Sequence, residues 1–284
     1  GLGDVYKRQI LIPAILSTLS TGYGIFLTKY IVKRYSSYEI IGPLFFLNAL
    51  WIIPFGFSGK TSLDLKTILM LIFIGFLIFL GAVMVFLIIK RTGPSASIIG
   101  QSLSPAFVSF IAPVMFHQKF DIPTILIVIV LVIATLYPAR NVVLGLSSTL
   151  TFLLMIVQGF NAGFINLLLT SVKAEGSNPI LLVSISQVVA GIFATIVYYP
   201  KQMKISHLPI MTIRSFFMGA GWLLLVLALN KHSVVLVQSI ISAVPLSVVV
   251  FESTSDRKKP EKGILTSSIV LIICITALSF LTIK

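Results

Sequence analysis

Charged residues are scarce in this sequence. Asp, Glu, Lys and Arg make up 10% of 284 residues, against about 25% in soluble domains. The acids are scarcer still, at 8 against 21 Lys and Arg. Setting Asp4 aside, they are Glu39, Asp64, Asp121, Glu175, Glu252, Asp256 and Glu261, all in polar gaps or at the ends of apolar runs. No carboxylate sits deep in an apolar run, so the simplest proton-coupling device of a membrane protein is missing. The single cysteine, Cys274, excludes an intramolecular disulfide. His117, His207 and His232 stand isolated in gaps, without a second ligand at metal-binding spacing. There is no Gly-x-Ser-x-Gly elbow, no Gly-Lys phosphate loop and no pair of acids within an apolar run. No enzyme is expected, and neither a cofactor nor a metal site.

Hydrocarbon fills the chain instead. Hydrophobic residues reach 57% and the mean hydropathy is +1.07, more apolar surface than a water-soluble core can bury. A membrane helix needs about 20 mostly apolar residues. Ten runs qualify, approximately 10–31, 39–57, 66–89, 95–116, 121–139, 147–172, 179–199, 210–229, 233–251 and 263–283. Stretches such as "TILMLIFIGFLIFLGAVMVFLII" are continuous, unlike the alternating strands of about 10 residues that build a membrane barrel. Basic residues fall in the short gaps, so the formal net charge of +13 reads as membrane-flanking charge and not as a nucleic-acid surface. The expected fold is an all-α polytopic membrane protein of about ten transmembrane helices, with lipid as its surroundings and no nucleic acid as partner.

The opening "GLGDVYKRQ" differs in character from the apolar run that begins at Ile10. Asp4–Gln9 resembles a sequencing-transposon adapter translated in frame, and residues 1–9 are expected to be a non-native leader. Beyond it the chain echoes itself. "GQSLSPAFVSF" at 100–110 returns as "VQSIISAVPLSVVV" at 237–250, with Gln101-Ser102 matched by Gln238-Ser239 at an offset of 137. "GYGIF" at 22–26 answers "NAGFI" at 161–165, and Asn48 answers Gln187, both at 139. Five spans per unit is an odd number, so the second copy must enter the membrane from the opposite side. Residues 10–141 and 142–284 are thus expected to be two inverted five-helix repeats, the architecture of many secondary transporters. A duplication that survives only as a folding relic is the alternative.

At "PSASIIGQSLSPAFVSFIAPVMFHQKFDIP" the chain resembles the EamA type of the drug/metabolite transporter superfamily. Leu103-Ser104-Pro105 matches that family's Leu-x-Pro element in the fourth span, and "STGYGIFLTKY" is similar to its first span. Two positions depart from the pattern. Gln118 stands where a Glu is expected, and Pro245 is displaced by three from the counterpart of Pro105, leaving Ser242 in the matching place. The resemblance implies ten helices in two halves, and movement of a small metabolite, amino-acid-like or drug-like solute.

Polar residues inside the apolar runs mark the candidate site, because lipid offers them no hydrogen-bond partner. Gln101 and Gln238 lead, as matched positions of the two halves. Asn48, Gln158, Asn161 and Gln187 join them, and Asn166 belongs to the same polar set. Hydrogen bonds between helices, worth about 0.6–2 kcal/mol each, account for part of this group. Arg214, about a turn inside the eighth span, is either a snorkelling side chain or a counter-charge for a carboxylate or phosphate. Lys29, near the end of the first span, has the same two readings. Tyr23 and Trp222 are candidate aromatic walls. Pro105, Pro113 and Pro245 are candidate kinks or gates, since proline removes a backbone hydrogen bond. Ser20-x-x-x-Gly24 and Gly159-x-x-x-Gly163 are expected to let helices approach closely.

The expected function is a secondary transporter for a small organic solute, an exporter, exchanger or facilitator working by alternating access. It is placed in a prokaryotic cytoplasmic membrane, with a homodimer left open. A non-transporting membrane scaffold or accessory subunit is the alternative. Orientation pulls two ways. About twelve Lys and Arg in the odd-numbered gaps, against about six in the even gaps and tail, put both termini outside, whereas the resemblance implies both inside. The family orientation is the one taken.

Overall fold

The computed structural model describes residues 12–34, 38–56, 64–92, 103–116, 122–136, 149–174, 178–200, 205–230 and 234–255, together with 270, 273, 274 and 277. Among these residues every regular element is helical. The helices are α1 (Ile12–Arg34), α2 (Ile41–Gly56), α3 (Leu65–Thr92), α4 (Ser104–Met115) and α5 (Ile122–Leu136). They continue as α6 (Thr149–Ala174), α7 (Pro179–Val197), α8 (Leu208–Leu229), α9 (Val234–Ile241) and α10 (Val244–Ser255).

Five segments are long and apolar enough to cross a membrane by themselves: Leu65–Arg91, Thr149–Ser171, Pro179–Val197, Leu208–Leu229 and the pair α9–α10 taken together. Their outward faces carry large apolar side chains open to the surroundings, among them Phe73, Phe152, Ile196, Phe216 and Val250. In water such a surface would drive aggregation, whereas in a bilayer it is ordinary lipid contact. The expected count of ten spans is matched by nine among the described residues. The tenth run, 263–283, lies mostly outside them, though Cys274 packs in the core beside Val270. The fourth run, expected at 95–116, yields a helix of 12 residues, roughly 18 Å long at 1.5 Å per residue. Residues 93–102 lie outside the described set.

The prolines shape these ends. Pro105 occupies the first turn of α4, where a missing N–H costs nothing. Pro113 lies inside α4 and leaves the Ser109 carbonyl without its usual donor. Pro245 follows the break between α9 and α10. There Ser242 N and Ala243 N close a turn on Gln238 O and Ile240 O, and the Ser242 hydroxyl donates to Ser239 O at 2.6 Å. Helix α7 starts on Asn178, whose side chain accepts from Ile180 N at 3.0 Å and donates to Gly56 O at 2.9 Å, tying it to the end of α2.

The two halves of the sequence interlock instead of forming separate cores. Helix α1 packs on α8, α9 and α10; α2 packs on α7 and α8; α3 packs on α6 and α7; α4 packs on α6 and α9. Small residues permit these approaches. Ser20 donates to Phe217 O at 2.7 Å, and Gly24 makes room for the Met218 side chain. Gly163 meets the Ser104 carbonyl so closely that an added Cβ would stand 3.2 Å from it. Both small-residue motifs thus lie at contacts between the halves.

Candidate functional site

Between these crossings lies a cavity of about 160 Å³. Its walls follow helical periodicity. Helix α1 contributes Ser17, Thr21, Ile25 and Thr28, one stripe at steps of four and three residues. Helix α6 contributes Gln158, Asn161, Ala162, Ile165 and Asn166, and α8 contributes Arg214, Met218, Gly221, Trp222 and Leu225. Helices α2 and α3 add Asn48, Phe45, Gly81 and Phe86, while Ser104 of α4 and Gln238 of α9 close the remaining sides.

Among the described residues Arg214 is the sole charged side chain on the wall, and it is only 7% exposed. Its Nε donates to Thr28 Oγ1 at 3.2 Å and its Nη1 to Asn48 Oδ1 at 3.3 Å. Thr28 accepts while its own hydroxyl donates to Gly24 O at 2.9 Å. Both of Arg214's partners are neutral, and among the described residues no carboxylate pairs with it. These bonds use two of five guanidinium N–H groups. Lys29, the other basic candidate, is already paired: its Nζ lies 3.3 Å from Glu252 Oε1.

Amides join the hydroxyls on the polar wall. Ser104 donates to Gln238 Oε1 at 2.8 Å, leaving Gln238 Nε2 without a partner. Asn161 donates to Leu77 O at 3.0 Å. Both amide atoms of Gln158 and the Oδ1 of Asn166 are buried without a protein partner, a costly state that a hydrogen-bonding guest would relieve.

Of the sequence candidates, the cavity thus gathers Asn48, Gln158, Asn161, Arg214, Trp222 and Gln238. Gln187 stands behind the wall, accepting from Asn48 Nδ2 at 3.2 Å. Tyr23 packs edge-on against Phe217 and Phe251, with ring centroids 4.6 and 5.1 Å away. Gln101 and Gln118 lie outside the described residues. Sequence reasoning passed over the hydroxyls Ser17, Thr21, Thr28 and Ser104. The spacing of the first three along one helix face was the signal that could have found them.

No curated protein matches the chain by sequence. A solved crystal structure superimposes on it with a TM-score of 0.69 at 11% identity, covering 94% of this chain and 97% of that one. That likeness is one of fold. Residues 9–137 match the EamA-like transporter family, and with its apolar helices the chain is an integral multi-pass membrane protein.

Proposed function

We propose that the protein is a secondary transporter that moves a small organic solute across a prokaryotic cytoplasmic membrane by alternating access. One observation carries the reading: both halves line the cavity, Thr21, Ile25, Thr28, Gly81 and Val85 from the first and Gln158, Ala162, Ile165, Met218 and Trp222 from the second. A site at the interface of two inverted five-helix repeats, 10–141 and 142–284, is where a rocking motion of one half against the other exposes a solute to each face in turn. Unpartnered amides on the wall support a binding role over a scaffold, for which they would be a cost without return.

Cysteine accessibility tests this without knowledge of the solute. Replacing Cys274 by Ser empties the chain of cysteine, and Ala162→Cys then places one thiol on the cavity wall. Reaction with a membrane-impermeant methanethiosulfonate from either face of oriented proteoliposomes is expected. Reaction from one face alone, or from neither, would overturn alternating access and favour the scaffold.

A further inference from the structure

We infer that the solute is a small organic monoanion whose charged group sits on Arg214. The inference rests on the cavity being the transport site and adds the chemical class. Arg214 is a buried cation whose partners, Thr28 and Asn48, are neutral. Removing a charge from water is expensive unless a counter-ion and hydrogen bonds compensate. Here the described residues supply hydrogen bonds and no counter-ion. A ligand that brings a negative group completes the site, and a guanidinium fork suits the two oxygens of a carboxylate. A phosphate monoester carries about 1.5 to 2 negative charges near neutrality, more than one guanidinium balances. The carboxylate is therefore the better match.

The opposite charge finds nothing here. None of the described residues lining the cavity is acidic, so an ammonium group, alone or in a zwitterion, would lie in the same cavity as Arg214 without an anion from these residues beside it. The remaining wall reads a neutral body. Gln158 offers a free donor and a free acceptor, Gln238 a donor and Asn166 an acceptor, while Ile25, Ile78 and Trp222 supply apolar surface. At about 10–15 Å³ of such volume per water, a cavity of about 160 Å³ holds a guest of roughly 11 to 16 non-hydrogen atoms. The counterpart of Arg214 is Leu77 at the offset of 137 and Gly75 at 139, so neither register brings a second charge to the site.

Two matched series test the class. The full chain in detergent is heated with 2-hydroxy-4-methylpentanoate, leucine and leucinol, which share a carbon skeleton as anion, zwitterion and cation. Benzoate and benzylamine form the second series. The anions are expected to raise the melting temperature. The concentration giving half that effect should rise at least tenfold in Arg214→Gln and recover in part in Arg214→Lys. Equal stabilisation by the matched zwitterion or amine, an anion effect that survives Arg214→Gln, or no effect from either anion would overturn the inference. A second measurement leaves Arg214 in place. At Ala162→Cys, the sulfonatoethyl reagent should outpace the trimethylammonioethyl reagent after correction for their rates on a free thiol. Equal corrected rates sink the monoanion while leaving the transporter standing, whereas labelling confined to one face sinks the transporter whatever the reagent's charge.

Discussion

Asn48 Nδ2 donates to Gln187 Oε1 across 3.2 Å, joining α2 to α7 at matched positions of the two halves. The other end of the same amide, Oδ1, accepts from Arg214 Nη1 at 3.3 Å. One side chain thus links a contact between the halves to the charge in the cavity. Gln187 is fully buried, and its own Nε2 has no partner.

This division of labour separates two substitutions. Gln187→Leu removes an acceptor from Asn48 but also removes an unsatisfied donor, so stability is expected to change by no more than about 1 kcal/mol. Anion binding should be unaffected. Asn48→Leu also releases Arg214, and its apparent affinity for the stabilising anion should fall about five- to tenfold. Melting curves taken across an anion titration read both quantities. Equal loss of affinity in the two variants would show that Asn48 does not hold the arginine in any way that matters.

A second expectation concerns the approach of α1 to α8. A Cβ on Gly221 would stand 3.3 Å from Thr21 N and 3.5 Å from Ser17 O, and would collide with Thr21 Oγ1. The Ser17 hydroxyl already donates to Gly221 O at 2.7 Å. Two backbones this close cannot absorb a methyl group by turning a side chain. Gly221→Ala should therefore cost about 1–3 kcal/mol and push Thr21 off the cavity wall. A melting temperature equal to that of the parent would show that the helices separate freely here.

The apolar runs announced the membrane class because run length and hydrocarbon content are direct properties of the sequence. For the same reason Asn48, Gln158, Asn161, Arg214, Trp222 and Gln238 stood out: an amide or guanidinium is conspicuous among Leu, Ile and Phe. The hydroxyls were silent. Thr28 bonds its own helix at Gly24 O, as threonines in helices commonly do, and nothing in the sequence says that its oxygen also accepts from Arg214. Tyr23 was conspicuous for its ring, yet whether a ring faces a cavity or a cluster of Phe217 and Phe251 depends on neighbours 194 and 228 residues away. The split of the ninth run into α9 and α10 was foreshadowed by Pro245, whereas the interlocking of the halves is a matter of tertiary packing that no local pattern encodes.

At one end of the bundle, α1 and α10 are joined by the Lys29–Glu252 pair at 3.3 Å and by Tyr30 and Ser255 at 3.2 Å. Both ion-pair side chains are 19% exposed, and such a pair is worth about 0–1 kcal/mol. That is small against folding but enough to shift a balance between conformers severalfold. Glu252→Gln is expected to leave the melting temperature nearly unchanged and to raise the labelling rate of Ala162→Cys from this end about two- to fivefold. An unchanged rate would mean that the pair does not hold this end closed.

The sharpest expectation sets stability against function at Gln158. Its side chain is 2% exposed, and neither amide atom has a protein partner. Leaving a buried polar group unsatisfied costs about 1–3 kcal/mol, a cost the empty protein carries and a hydrogen-bonding guest would relieve. Gln158→Met keeps the volume and removes both unsatisfied atoms. The variant should melt higher than the parent in the absence of solute, yet bind the stabilising anion about tenfold more weakly. Proteoliposome uptake of that anion should fall in step, because the lost hydrogen bonds are made only with the guest. A variant less stable when empty would show that Gln158 is already satisfied in the membrane, and a more stable one with full uptake would remove it from the binding site.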